Sequence, residues 1–280
     1  MKNVHVSILQ LDVSDRKESN LSNLSEQMKK IKDFSPDFTV LGEMFNCPYD
    51  ISCFKDFSES EDSGITIKYL SSLAKEYSTV LIGGSIPEND SGKIFNTSFI
   101  FSKEGKIIGK HRKVHLFDVN LRREGDEVTF KESIVLSPGN SATVIDTDIC
   151  PIGVCICYDA RFPELTRKMA LMGAQIVFIP AAFNNITGPA HWELTMRSRA
   201  LDNQLFVCAC STALNSSFTY HSYGHSMAID PWGKVLSSLE YENGILNVEL
   251  DLELISEIRS KLPLLKHRRE EVYSWQNRTL

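Results

Sequence analysis

The sequence predicts a single α/β domain in which helices cover sheets that include antiparallel hairpins. Strand-like apolar runs alternate with helix-period segments along the chain, and two stretches read as hairpins. No Pro/Gly/Ser-rich linker, composition shift or fixed-period repeat divides the 280 residues. At 42% apolar and 24% charged, the chain has the makings of one large core.

The elements follow in order. "NVHVSILQL" and "FTVLGEM" are short β-rich runs. Between them Leu21, Leu24, Met28 and Ile31 recur at spacings of 3, 4 and 3, the stripe of an amphipathic helix, with Ser19 or Asn20 as its expected cap. Ile67, Leu70, Leu73, Ala74 and Tyr77 repeat that stripe before the run "TVLIGGSI". "NTSFIFSKEGKIIGKHRKVHL" is a hairpin that turns at Lys103–Lys106, with Gly105 where φ must be positive. "GVCIC" reads as a strand, "RFPELTRKMALMG" as a helix closed by Gly173, and "AQIVFIPAA" as another strand. "WELTMRSRALDN" is helical and "QLFVCACST" extended. A second hairpin, "HSMAIDPWGKVLSSL", precedes a strand and last helix in "GILNVELDLELISEIRSKL". The domain is expected over 1–262. The apolar and aromatic tail 263–280 is left to pack at a subunit interface, which implies a homodimer or larger assembly.

A net charge of −6, with no basic run longer than "KHRRE", makes nucleic acid and anionic membranes poor partners. The N-terminal run turns polar too early for a signal peptide. No stretch approaches the roughly 18 apolar residues of a spanning helix, so a cytoplasmic location is expected. Five of the seven cysteines lie in or beside strand-like runs, which suits reduced thiols. The pairs Cys155/Cys157 and Cys208/Cys210 lack the spacing of zinc knuckles, so no metal is expected.

Three reactive side chains stand where β-runs end: Glu43 in "FTVLGEMFNCPY", Lys113 in "GKHRKVHLFD" and Cys157 in "PIGVCICYDARFPEL". Strand ends along one sheet edge are where α/β folds gather catalytic groups. A thiol before a turn and a helix lies near a helix N-terminus, which favours the thiolate, and the Tyr158 amide could face an oxyanion. A cysteine nucleophile needs a base, which Glu43 could supply, while Lys113 could hold developing negative charge. Taken singly, Glu43 reads more readily as a capping or surface carboxylate, Lys113 as a solvated cation and Cys157 as core. A histidine base (His111, His115, His191, His221 or His225) and a binding protein without turnover stand as rivals. Composition and spacing leave these alternatives open.

"LGEMFNCPY", "HRKVHLFD" and "GVCICYDARFPEL", in that order, resemble the three motif blocks of the nitrilase superfamily of carbon–nitrogen hydrolases. The resemblance implies an α-β-β-α sandwich carrying a Glu43–Lys113–Cys157 triad, with Cys155 a strand residue behind the nucleophile. "AAFNNITGPAHWELTMRSRALDNQLFV" and "FKESIVLSPGN" resemble the omega-amidase branch, which hydrolyses the side amides of 2-oxoglutaramate and 2-oxosuccinamate. The second block implies a further glutamate at Glu132, with Glu124 and Glu127 close by in sequence. Cys157-Tyr158-Asp159 departs from the Cys-Trp-Glu of true nitrilases and favours amides. The charged segment 119–129 reads as a loop overhanging the pocket and longer than is usual in that branch.

The implied mechanism is attack by Cys157, an oxyanion held by Lys113 and the Tyr158 amide, proton transfer through Glu43, and hydrolysis of a thioester, with no cofactor. The small-molecule amide would carry a distal carboxylate, for which Arg161 is the candidate clamp. A structural pairing of Arg161 with Asp159 or Glu164 is the competing expectation. Tyr49, Phe183 and Thr187 are placed near the pocket by resemblance. Other branches of the superfamily, acting on N-carbamoyl amino acids, deaminated glutathione or other short amides, share the triad and differ in loops.

Overall fold

A computed structural model describes residues 3–123 and 126–273, without the side chains between 122 and 128. The chain opens with strand β1 (Asn3–Gln10), helix α1 (Lys17–Lys30) and β2 (Phe38–Leu41). Helices α2 (Ile51–Phe57) and α3 (Ile65–Glu76) precede β3 (Val80–Ile82), β4 (Ile86–Asp90), β5 (Lys93–Phe101) and β6 (Ile107–Arg112). Next come β7 (Asp118–Arg123), β8 (Asp126–Lys131), β9 (Thr143–Asp146) and β10 (Pro151–Val154). Helix α4 (Pro163–Leu171), β11 (Ile176–Ala181), α5 (Gly188–Asn203) and β12 (Phe206–Ser211) follow. The chain then forms β13 (Met227–Ile229), β14 (Val235–Ser238), β15 (Gly244–Asp251) and α6 (Glu253–Lys261).

Two sheets result. One runs β15-β1-β2-β3-β5-β4, with β6 also on β5; the other runs β14-β13-β12-β11-β10-β9. The central strands β2, β3, β11 and β12 are largely apolar on both faces because both faces are buried, while edge strands such as β14 alternate with exposed residues. Val4, Val6, Ile8, Phe38 and Val40 meet Ile176, Phe178, Cys208 and Cys210 between the sheets, where the Phe38 and Phe178 rings lie 5.3 Å apart. The alternate residues Leu9, Leu41 and Leu81 turn outward beneath Leu24 and Met28 of α1 and Leu70 and Leu73 of α3. Val177, Ile179, Val207 and Ala209 do the same beneath Leu165 and Met169 of α4 and Trp192 and Met196 of α5. The layers are therefore α-β-β-α, as the motif resemblance implied.

Four local expectations change. The segment 119–129 is not a plain loop: β7 and β8 pair antiparallel, with Val119 opposite Phe130 and Leu121 opposite Val128. Apolar residues at 119, 121, 128 and 130 alternate with polar ones, which is the strand period. "TVLIGGSI" is broken at Gly84 (φ 52°), so β3 and β4 are separate strands. Strand β10 stops at Val154, before either cysteine. Helix α1 starts at Lys17, ahead of its expected cap. Asn20 lies inside it and accepts from the Ser14 backbone N–H at 2.7 Å. Gly105 and Gly173 do take positive φ, at 79° and 101°.

The described part of the tail, 263–273, runs beside α4, where Arg268 and Tyr273 line a shallow cleft with Arg167 and Leu171. Residues 274–280 lie outside the described residues. Among the described residues no helix is long and apolar enough to cross a membrane.

The two sheets touch where β2 ends. A Cβ on Gly42 would stand 2.8 Å from the Thr212 backbone N, and one on Gly84 2.2 Å from the Gly42 carbonyl O. Gly84 has no alternative, because its φ is positive and its space is filled by backbone. Gly84→Ala should cost about 2–3 kcal/mol of stability, the range for overpacking a rigid site. Urea unfolding followed by tryptophan fluorescence measures it, and a loss under about 0.5 kcal/mol would contradict the close-packed junction.

Candidate active site

Glu43 lies two residues past β2, Lys113 one past β6 and Cys157 three past β10. All three come from strand ends on one rim of the sandwich. Glu43 is fixed by its backbone N–H, which donates to the Ala181 carbonyl at 3.2 Å. The same carbonyl accepts from the Thr212 N–H, also at 3.2 Å, so the end of β11 ties both sheets together. Lys113 is held through its main chain: its N–H donates to the Asn96 carbonyl, and its carbonyl accepts from the Gly139 N–H, both at 2.8 Å. Cys157 opens a 3-10 turn (Cys157–Arg161) with φ 46°, a left-handed conformation uncommon for a residue with a side chain.

The Lys113 ammonium is fully buried. It donates to Glu43 Oε1 at 2.8 Å, to Glu132 Oε1 at 2.9 Å and to Tyr49 Oη at 3.3 Å, which uses its three protons. Tyr49 donates to Glu132 Oε1 at 2.7 Å, and the Phe117 backbone N–H donates to Glu132 Oε2 at the same distance. Asn96 Nδ2 donates to Glu43 Oε1 at 2.8 Å. The other oxygen, Glu43 Oε2, is buried without a hydrogen-bond partner among the described residues. Glu132 therefore joins the cluster. Glu124, and the side chain of Glu127, lie outside the described residues.

Electrostatics follow from this burial. Burial pushes the Glu43 carboxyl above its ordinary value; Lys113 pulls it back and Glu132 pushes it up again. Burial alone would lower Lys113, but Glu132 and Glu43 outweigh it and keep the amine protonated. The Cys157 thiol, 5% exposed, is held well above its usual range by burial and by the Glu43 charge, against Lys113 and the Ala182 N–H. The expected thiolate beside a helix N-terminus is thus corrected. Cys157 opens the 3-10 turn that precedes α4 rather than α4 itself, and a neutral thiol waits beside a carboxyl of raised basicity. Cys155 is fully buried in the core beneath α4 and α5, and burial raises it too.

The remaining candidates divide. Tyr49 Oη is hydrogen-bonded inside the cluster, its ring stacked 5.1 Å from Phe130 and tilted against Tyr220 at 4.6 Å. Arg161 does not pair with Asp159 or Glu164. Its guanidinium lies 4.5 Å over the Phe183 ring and donates to Thr187 Oγ1 at 3.1 Å and His191 Nδ1 at 3.0 Å. The Tyr158 ring stands edge-on to Phe117 at 5.1 Å and Phe162 at 5.3 Å. His111 and His115 both turn to Asp159, His191 Nδ1 accepts from Arg161 and His225 Nδ1 faces the Tyr223 carbonyl, whereas Glu43 and Lys113 face the thiol, with Tyr49, Tyr220 and Arg161 around it. Sequence reasoning missed Asn96 and the carboxylate role of Asp159. Both partnerships depend on strand pairing, and no local spacing announces them.

A family model described as "Carbon-nitrogen hydrolase" matches residues 5–260. The chain belongs to the carbon–nitrogen hydrolase family. This hydrolase is 42% identical over 278 residues to "Omega-amidase NIT2" of Mus musculus, a match covering 99% of both chains. It is 45% identical over 267 residues to "Nitrilase homolog 2" of Dictyostelium discoideum, covering 95% of this chain and 80% of that one. Among solved structures, Saccharomyces cerevisiae Nit3, a member of branch 10 of the nitrilase superfamily, superposes with a TM-score of 0.88 at 41% identity, covering 96% and 97% of the two chains.

A carboxyl whose folded-state value is raised binds its proton more tightly folded than unfolded. Stability is then lost as pH rises through the unfolded value toward the folded one. At pH 8 the buried Glu43 charge therefore burdens the fold. Glu43→Gln should raise the melting temperature at pH 8 by about 2–4 °C, with a smaller gain at pH 5. Scanning calorimetry at both values decides it; a lower melting temperature at pH 8 would mean that the Lys113 pairing outweighs the burial.

Proposed function

We propose that this hydrolase cleaves the terminal amide of a short dicarboxylic acid monoamide, of the 2-oxoglutaramate or 2-oxosuccinamate type, to the acid and ammonia. The observation that carries the reading is Arg161. It makes no ion pair with a carboxylate among the described residues, is braced by Phe183 and Thr187, and lies near enough to couple to Cys157. A cation so placed suits a substrate carboxylate whose amide end reaches the thiol. Likeness to mouse omega-amidase over nearly the whole chain supports the same substrate class.

In the proposed chemistry the Cys157 proton passes to Glu43 as sulfur attacks the amide carbonyl. The oxyanion is held by the Tyr158 amide and by Lys113, whose longest bond, to Tyr49 Oη, is the one exchanged. Glu43 then gives its proton to the departing nitrogen, and the C–N bond breaks to leave a thioester and ammonia. Water surrenders a proton to Glu43, attacks the thioester, and the acid leaves as that proton returns to sulfur. Glu132, bound by Tyr49 and the Phe117 N–H, aims the ammonium throughout.

Purified protein should release ammonia from 2-oxoglutaramate, and Cys157→Ala should lower the rate at least about 10³-fold. Arg161→Lys should raise KM for that substrate about 10–100-fold, the worth of a charged hydrogen-bond pair, while leaving a neutral short amide unaffected. Equal effects on charged and neutral amides would sink the clamp.

A further inference from the structure

The nucleophile and the lysine sit on arms from different sheets, and one buried side chain joins those arms. Asp159 is fully buried, and its carboxylate accepts five donors. Two flank Lys113 on its C-terminal side: the Val114 N–H at 3.2 Å and the His115 N–H at 2.9 Å. Two are imidazoles on the same arm, His115 Nδ1 at 2.8 Å and His111 Nε2 at 3.0 Å. The fifth is the Ile156 N–H, immediately before the nucleophile, at 3.1 Å. Asp159's own N–H donates to the Ile156 carbonyl at 2.9 Å, closing the turn that gives Cys157 its left-handed conformation.

The histidines are braced in turn. His111 Nδ1 meets Thr143 Oγ1 at 2.9 Å on β9, and His115 stacks on Phe162 at 3.7 Å. With its oxygens occupied by donors that flank Lys113 and Cys157, Asp159 has no part left for substrate.

We propose that Asp159 is a positioning residue: its carboxylate sets the separation between Lys113 and Cys157, and with it the field that Lys113 exerts on the thiol and on Glu43. The proposal rests on the reading that Cys157 and Lys113 carry the reaction. The titratable groups facing Glu43 are Lys113, Glu132, Cys157, Tyr49, Tyr220 and Cys47; Lys113 is the one cation among them and favours the charged form most, the Cys157 S–H adds a smaller push the same way, and Glu132 opposes it. Loosening the clamp weakens Lys113's hold, so both Glu43 and Cys157 titrate at higher pH.

Asp159→Asn keeps the shape but turns an amide N–H₂ toward a ring of donors. Its kcat per folded molecule should fall at least about 100-fold with KM within about threefold, and the acid limb of kcat/KM should move up by about one pH unit. His115→Ala leaves the carboxylate and its backbone donors in place; it should fold and lose about 3–10-fold in kcat, with the limb moved the same way. A uniform drop in rate with an unmoved limb in both variants, or unchanged kcat in both, overturns the proposal. If Asp159→Asn does not fold, His115→Ala decides alone on the same criteria. The pH profile of iodoacetamide alkylation, read by mass spectrometry of the Cys157 peptide, uses no substrate and separates the two readings. Activity that survives Cys157→Ala removes the nucleophile. An alkylation profile moved upward in the Asp159 and His115 variants supports the clamp even then, and an unmoved one rejects it.

Discussion

A lysine ammonium with no exposed surface is the constraint on which the site depends. Moving such a charge out of water costs several kcal/mol even after relaxation, so the fold must surround it with compensating groups. It does so with groups that no local structure could supply. Glu43 comes from the end of β2, Tyr49 from the loop before α2, Glu132 from the end of β8, and Asn96 from β5 to brace Glu43. Each also compensates another, since Tyr49 donates to the glutamate that Lys113 needs. Removing any one member leaves the rest short of a partner in a place that water does not reach.

That cluster could not close unless the two sheets met at their ends. They meet through the Ala181 carbonyl, which binds the N–H groups of both Glu43 and Thr212, and through Gly42, which lets β2 approach Thr212. Positive φ at Met44 and Cys157 marks the cost of turning these strand ends sharply enough to aim their side chains across the seam. Strain and buried charge thus collect on one rim, while the inter-sheet core of Val4, Phe38, Phe178 and Cys208 supplies the stability that holds them.

The legible parts of the sequence were those with a period or an order. Leu21, Leu24 and Met28 announce a helix because one face must be apolar, and Gly105 announces a turn because only glycine takes that φ without strain. The triad was legible from three motif blocks in register, not from periodicity, which left Cys157 and Cys155 indistinguishable. The hairpin β7–β8 was obscured because its charges suggested a loop, although its alternation of apolar residues was present. Asp159 was obscured for a different reason. Two residues before Arg161 it looks like an ion-pair partner, yet four of its five donors come from β6 and the residues just after it, over forty residues earlier, and only the meeting of the two sheets brings them there.

The cluster's net charge bears on what it can accept. Glu43, Glu132 and Lys113 sum to −1 when the thiol is neutral, in an interior where charges interact more strongly than in water. A substrate that carries its own carboxylate is repelled by such a site unless a second cation lies on the approach. In the proposed reading Arg161 is that cation. Its guanidinium is stacked on Phe183 and hydrogen-bonded to Thr187, so it is pre-ordered without being neutralised. In that reading the buried cluster acts on the amide group itself, whatever the rest of the substrate carries. In the proposed reading the choice between charged and neutral amides falls to one arginine four residues past Cys157, on the same turn, where the two functions share a backbone while Arg161 turns to Phe183, Thr187 and His191 and the lysine to Glu43, Glu132 and Tyr49.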